Sequence, residues 1–287
     1  MKTGDWKAVA RAITIVENEL EGYMEILFSV NEEKNTPVIG FTGPPGAGKS
    51  TLINALISHL ASSEKKIAVL AIDPTSPFNY GSLLGDRLRM SEHFNDKNIF
   101  IRSIATRGSL GGLSEKTIEV VDVMKASSFD LIIVETVGVG QSEVEIAGLA
   151  DTTVVVFVPE AGDEVQTMKS GIMEIADIFV VNKSDREGAD RFANNLQKMT
   201  HMLPVEIPVI KVSAINGTGI DSLSRELEKQ SQTGRNSIKK NYLLTEKVYK
   251  LIQKNRMRDV NKAELHQTLQ KVSLDSEFNI YKFAASY

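Results

Sequence analysis

The sequence contains no cysteine in its 287 residues. Disulfide bonds and cysteine-ligated metal sites are therefore excluded, and the cytoplasm, a reducing compartment, is the predicted location. The chain also lacks an apolar run of about 18 residues, the length that a membrane-spanning helix requires, so no membrane segment is expected. The opening residues Met1–Trp6 do not have the pattern of a secretory signal peptide.

The sequence also has few histidines and a small net charge. The four histidines lie far apart in the sequence, which gives no indication of a metal site. A net charge of −4 argues against a nucleic-acid partner. What the chain does have is 42% apolar and 24% charged residues, enough for one large α/β domain with extensions.

A glycine-rich motif follows the first apolar run, 38–41, and precedes a predicted helix at 51–57. It matches G-x-x-x-x-G-K-[ST], the pattern of phosphate-binding loops. In such loops backbone N–H groups and a helix N-terminus bind phosphate oxygens, the lysine reaches the β- and γ-phosphates, and the serine hydroxyl binds Mg²⁺. The predicted nucleotide-binding residues are Gly43, Pro44, Pro45, Gly46, Ala47, Gly48, Lys49, Ser50 and Thr51.

Short apolar runs alternate with predicted helices over residues 37–230. Most are continuous runs of Val, Ile, Leu and Phe, which is typical of parallel strands covered on both faces. The predicted fold is therefore an α/β domain, a mostly parallel sheet with helices on both faces. The predicted strands are 38–42, 67–72, 99–103, 131–135, 153–158, 178–182 and 209–212.

Helical extensions are predicted on both sides of this domain, at 1–36 and 231–287. Amphipathic spacing predicts one helix over 4–28 before the domain. After it, spacing predicts helices over about 242–256 and 261–273, and a dimerisation surface is one hypothesis for them. Lysine and arginine predominate there, which fits either an acidic partner or a solvated face.

A second motif, Asn182-Lys183-Ser184-Asp185, follows a predicted strand. The Asp185 carboxylate can accept hydrogen bonds from the N1–H and 2-amino groups of guanine, which adenine lacks. Lys183 would lie along the base, and Ser213-Ala214 looks like the loop whose backbone N–H supports guanine O6. A solvated turn is the alternative, because Asn, Ser and Asp favour turns.

A third motif, Glu135-Thr-Val-Gly138, also follows a predicted strand. The Gly138 N–H would contact the γ-phosphate, and Glu135 would hold Mg²⁺ directly or through water in a segment expected to rearrange on hydrolysis. Ras-like GTPases place a water-positioning glutamine directly after this glycine, where this chain has Val139; Gln141 is the candidate substitute. We therefore expect slow intrinsic hydrolysis that needs another group or a partner.

Two further carboxylates are candidates for the same site. Asp73 ends a predicted strand, where it could bind the water shell of Mg²⁺ or open an Asp-Pro turn. Asp86 lies among charges of both signs and could orient water or metal, or belong to a surface ion-pair cluster. Ligands bind beyond the carboxyl ends of parallel strands, so all these motifs are expected on one edge of the sheet.

Together these motifs resemble the MeaB/ArgK-type P-loop GTPases, chaperones of adenosylcobalamin-dependent methylmalonyl-CoA mutase. The resemblance runs from about residue 5 to 260. It rests on 43–51, Asp73-Pro-Thr-Ser76, Gly85-Asp-Arg-Leu-Arg-Met90, Ala105-Thr-Arg-Gly-Ser-Leu-Gly-Gly112 and Glu135-Thr-Val-Gly-Val-Gly-Gln-Ser-Glu143.

The resemblance implies roles that the motifs alone do not. Asp73, Asp86 and Glu135 would be the Mg²⁺ and switch carboxylates, and residues 160–169 resemble a third switch that responds to the mutase. GTP binding and hydrolysis would time cofactor delivery to the mutase and protect or rescue it from inactivation. No Asp-x-His-x-x-Gly motif occurs, so the partner is expected to hold the cobalamin. The candidate catalytic residues are Lys49, Asp86, Glu135, Gln141 and Lys169.

Two other functions remain open. A metal-insertion GTPase should carry Cys or His ligands near the nucleotide, and this chain has no cysteine. A P-loop kinase or transport-associated ATPase is disfavoured by Asp185. The sequence does not distinguish methylmalonyl-CoA mutase from related acyl-CoA mutases as the partner.

Overall fold

The structure is a computed structural model. It describes residues 5–30, 36–61, 63–73, 90–105, 115–136, 145–161, 172–201 and 206–232 and, near the C-terminus, 245, 248–249, 251–253, 256–257, 259–272 and 278–285. The chain divides into two compact units, Met1–Lys240 and Asn241–Tyr287, which are described separately.

One sheet of seven strands forms the core of the first unit. Its strands are β1 Val38–Thr42, β2 Ile67–Asp73, β3 Ile99–Ala105, β4 Leu131–Glu135, β5 Thr152–Phe157, β6 Ile178–Val181 and β7 Val209–Lys211. Their order is β3-β2-β4-β1-β5-β6-β7, and every neighbouring pair is parallel. All residues of β1, β4, β5 and β6 are buried, which explains why their sequences are continuously apolar. The predicted parallel α/β fold is confirmed.

Helices cover both faces of this sheet. In the first unit they are α1 Trp6–Glu17, α2 Tyr23–Phe28, α3 Lys49–Ala61, α4 Glu115–Lys125, α5 Ile172–Ile175, α6 Ala189–Thr200 and α7 Ile220–Gln232, with 3₁₀ turns at Ser91–His93, Ile146–Gly148 and Pro159–Ala161. The inward side chains of α3 and α7 share a core cluster with Ile39 and Phe41 of β1. On the opposite face, α1 and α4 pack on Val38 and Ile132. The aromatic ring of Phe192 in α6 packs among the side chains above β5 and β6.

The N-terminal helices belong to the first unit. Trp6 stacks on Phe129 with ring centroids 4.6 Å apart, and its indole Nε1 donates to the carbonyl oxygen of Lys97 at 2.6 Å. Arg102 of β3 pairs with Glu17 of α1, Nη2 to Oε2, at 2.8 Å. The extension is therefore held by apolar burial and by a partly buried ion pair.

The single helix predicted over 4–28 is wrong in one respect. The described residues form two helices, because Glu19 (φ 49°) and Gly22 (φ 86°) adopt left-handed conformations that end α1 and reset the chain before α2. Leu20 lies in this break and is 49% exposed.

The second unit contributes α8 Lys262–Val272 and α9 Ile280–Ala285. The sequence pattern predicted the first of these and missed the second. Residues 248–249 and 251–253, within the other predicted helix, are also helical. In the part of the chain that the structure describes, no helix is long and apolar enough to cross a membrane.

Candidate functional site

The candidate site lies at the edge of the sheet formed by the carboxyl ends of the strands. Because all seven strands run in the same direction, the residues after β1, β4, β6 and β7 reach this one edge. The central position of β1, between β4 and β5, places the glycine-rich loop in the middle of it. This is where ligands bind in open parallel sheets.

Two glycines give the loop after β1 its shape. Gly43 has φ +133°, and a Cβ there would lie 2.1 Å from the carbonyl oxygen of Val156. Gly48 has φ +81°, and a Cβ there would lie 2.6 Å from Nδ2 of Asn182. Both positions therefore require glycine, for conformation and for space, in a loop that must leave room for a ligand.

Lys49, at the start of α3, is 6% exposed and points back into the loop. Its Nζ donates to the carbonyl oxygens of Gly43 at 2.8 Å and Pro44 at 3.1 Å. The ammonium group is thus held inside the loop whose N–H groups would face phosphate. An incoming phosphate would compete with these carbonyl oxygens for it.

The side chains of Ser50 and Glu135 bring together two oxygen atoms that can bind a metal ion. The Ser50 hydroxyl donates to Oε1 of Glu135 at 2.7 Å, and both side chains are buried. A hydroxyl and a carboxylate oxygen are hard ligands of the kind that Mg²⁺ prefers, so Ser50 and Glu135 could hold a magnesium ion.

Asn182 joins three motifs. Its Nδ2 donates to the carbonyl oxygen of Ala47 at 2.9 Å, and its Oδ1 accepts from the backbone N–H of Ala214 at 3.2 Å. Lys183 Nζ donates to the carbonyl oxygen of Gly46 at 2.8 Å. The phosphate loop, the Asn-Lys-Ser-Asp turn and the loop after β7 therefore form one assembly.

Asp185 presents an exposed carboxylate beside this assembly. Its Oδ1 accepts from the Ser213 hydroxyl at 2.5 Å. This hydrogen bond, with a further contribution from the backbone, lowers the pKa of Asp185 below its ordinary value. The side chain is therefore ionised and oriented at neutral pH, and such a carboxylate can accept hydrogen bonds from N–H groups of a ligand.

The remaining predicted residues are only partly located. Asp73 is the last residue of β2, at the same edge, although its side chain is not described. Thr51 lies in the first turn of α3. The predicted residues outside the described part of the chain are Asp86, Gly138, Gln141 and Lys169.

The structure adds two contacts that the sequence analysis missed. One is the bond from Asn182 to the phosphate loop, which spans 135 positions. The other is an ion pair between Glu160, just after β5, and Arg186, just after Asp185. The sequence does show a charged residue after each of the two predicted strands. The two residues could be paired only once β5 and β6 were known to be neighbours.

The family model described as "Methylmalonyl Co-A mutase-associated GTPase MeaB" matches residues 9–269. A putative GTPase of Pyrococcus horikoshii is 47% identical over 240 residues, covering 81% of this chain and 76% of that protein. One from Pyrococcus abyssi is 56% identical over 191 residues, or 66% of this chain and 59% of that protein, which is under two thirds of the relative's length.

A more distant relative and a solved structure extend the comparison. The mitochondrial methylmalonic aciduria type A homolog of Mus musculus is 40% identical over 193 residues, 64% of this chain and 46% of that protein. A crystal structure titled "LAO/AO transport system kinase" superposes with a TM-score of 0.70 at 23% identity, covering 99% of this chain and 92% of that one. At this identity the likeness establishes the fold alone.

Proposed function

We propose that this chain, which belongs to the MeaB family of methylmalonyl-CoA mutase-associated GTPases, binds and slowly hydrolyses GTP to regulate an adenosylcobalamin-dependent acyl-CoA mutase. The observation that carries the nucleotide part is the Asn182 assembly. Asn182 connects the turn that we propose to recognise guanine to the phosphate loop. A nucleotide that contacts both would need them at a fixed distance from each other.

On the phosphate side, the chain's own groups would orient and neutralise the triphosphate. Lys49 would exchange its bonds to the loop carbonyls for bonds to the β- and γ-phosphates. Ser50 and Glu135 would hold Mg²⁺, which when bound neutralises charge on the phosphate oxygens. Asp73 and Asp86 are proposed to complete the metal's surroundings, and Gly138 to contact the γ-phosphate.

On the base side, Asp185 would accept hydrogen bonds from guanine N1–H and the 2-amino group. Ser213 holds the carboxylate, and the Ala214 N–H would support guanine O6. Adenine offers a lone pair at N1 and no 2-amino group, so ATP would leave this carboxylate unpaired.

The partner part of the proposal rests on the family and on the name of the mouse relative. We propose that the mutase, and not this chain, holds the cobalamin, and that the GTP and GDP states bind the mutase with different affinities. Gln141 and Lys169 are proposed to act in the stimulated reaction. Methylmalonyl-CoA mutase is the partner to test first.

The test is a hydrolysis assay with the purified chain, alone and with methylmalonyl-CoA mutase from the same source. We expect a basal rate at or below about 10⁻² s⁻¹, raised many-fold by the mutase. An unchanged rate would contradict this partner, and an isobutyryl-CoA mutase in the same assay tests the related one. ATP binding as tight as GTP binding would contradict the base assignment.

A homodimer is part of the proposal. Support comes from the second unit, where Tyr249, Ile252 and Tyr281 are 57%, 46% and 83% exposed. Where such side chains form a contiguous apolar patch, the patch is typical of a surface that another chain covers. Light scattering after gel filtration tests this: the dimeric mass is expected, and a monomer at micromolar concentration would contradict it.

A further inference from the structure

The turn that carries Asp185 is short and conformationally strained. Lys183 has φ +56°, a left-handed conformation that is unfavourable for a side chain other than glycine. The backbone N–H of Arg186 closes the turn on the carbonyl oxygen of Lys183 at 3.0 Å. A turn of this kind keeps its geometry only where its surroundings hold it.

One side of the turn is held by the loop after β7. The Ser213 hydroxyl bonds to Asp185, and the backbone N–H of Ser184 donates to the carbonyl oxygen of Val212 at 3.0 Å. These contacts come from the segment that follows β7, which neighbours β6 on one side. β5 neighbours β6 on the other side, and the contact from the end of β5 is the ion pair of Glu160 and Arg186.

This ion pair joins the ends of two neighbouring strands. Glu160 lies in the 3₁₀ turn Pro159–Ala161, which begins two residues after the end of β5, and its Oε1 accepts from Nη1 of Arg186. The side chains are about half exposed, at 53% and 51%. The pKa of Glu160 is lowered chiefly by this hydrogen bond, so the pair is charged at neutral pH.

We propose that Glu160 and Arg186 are positioning residues for guanine recognition. Their ion pair anchors the turn of Asp185 to the end of β5, opposite the anchor that Ser213 provides. This inference rests on the proposed function, since it assigns the pair to the same base-binding site. Neither residue need touch the nucleotide, because each acts through the placement of the Asp185 carboxylate.

The test compares GDP with IDP, which keeps the N1–H of guanine but lacks the 2-amino group. Binding of both is measured for the full chain and for Glu160→Gln, Arg186→Gln and the double variant. We expect each single change to lower the GDP-to-IDP affinity ratio about two- to fivefold, the scale of a half-exposed ion pair. The double variant should lose no more than either single one, and Arg186→Lys should recover part of the ratio.

Controls separate positioning from other effects. Arg225→Gln breaks a somewhat more exposed ion pair with Asp221 in α7, and it should leave the ratio unchanged. If Arg186 acted on Asp185 by charge alone, its loss would have the same effect in the Glu160→Gln background, and such additivity would overturn the proposal. Unchanged ratios in both single variants would also overturn it. A wild-type chain with no preference for GDP over ADP would instead refute the proposed function, and this inference with it.

Discussion

The phosphate side and the base side of the candidate site are built differently. On the phosphate side, Lys49, Ser50 and Glu135 are buried and already bonded to groups of the chain. On the base side, Asp185 is exposed and is held in place by Ser213. In the proposed function, a phosphate would therefore have to displace existing contacts, whereas a guanine would meet a carboxylate that is already oriented.

This difference separates two tasks. The buried side can bind strongly, because charges interact strongly where water is excluded, but it would do so for any nucleoside triphosphate. Under the proposed function, the exposed side would add less affinity and would decide which base is accepted. Substitutions on the two sides should therefore change nucleotide binding in different ways.

Lys49→Ala should weaken GTP and GDP binding together, by roughly 100-fold. The lysine is the buried cation of the phosphate loop, and each hydrogen bond to a charged group that is lost counts for about tenfold or more. Titration with a fluorescent guanine nucleotide measures this. Lys198→Ala, on the exposed face of α6, is the matched control and should bind normally. A loss confined to GTP would contradict a role on both phosphates.

Asp185→Asn should reduce GDP affinity by about 10- to 100-fold and raise affinity for xanthosine diphosphate. The amide can donate to the extra carbonyl of xanthine, whereas the carboxylate of the wild type cannot. Competition titrations with the two nucleotides measure the change. Unchanged guanine preference would refute the base assignment and would remove the division between the two sides of the site.

Glu135→Gln should raise the Mg²⁺ concentration needed for half-maximal hydrolysis by about tenfold. The amide keeps the size of the side chain and loses the charge beside Ser50. Hydrolysis measured over a series of Mg²⁺ concentrations tests this. GDP binding with Mg²⁺ removed by a chelator should be the same for both proteins, and a difference there would indicate that Glu135 shapes the loop instead of holding the metal.

The sequence predicted well whatever depends on local pattern. β1, β4 and β5 are continuous buried runs, so their positions follow from apolarity alone, and the motifs follow strands whose direction the fold class determines. Strand order is different, because it depends on how distant segments pack. The contacts of Asn182 with Ala47 and of Glu160 with Arg186 follow from that order and could not be predicted.

The extensions illustrate the same limit. Apolar spacing continues across the break between α1 and α2, so only the backbone conformation of Glu19 and Gly22 separates them. Spacing also does not say what an apolar face packs against. Trp6 stacks on Phe129 within its own unit, whereas Tyr281, in the other unit, is 83% exposed.

Ser213→Ala should have the smallest effect, about a threefold loss of GDP affinity at neutral pH, because the hydroxyl positions Asp185 without contacting phosphate.

The pH dependence of nucleotide binding by this variant is a more specific test of the Ser213 hydrogen bond. Guanine binding requires the ionised carboxylate, and the Ser213 hydrogen bond lowers the pKa of Asp185. The wild type should therefore keep its preference for GDP over ADP to a lower pH than the variant does, since protonation of Asp185 begins at higher pH once the hydroxyl is gone. Titrations of both nucleotides between neutral and acidic pH measure this shift, with Ser184→Ala as the control. Coincident pH profiles would mean that the base side is not preorganised by Ser213, and that the contrast with the phosphate side lies in burial alone.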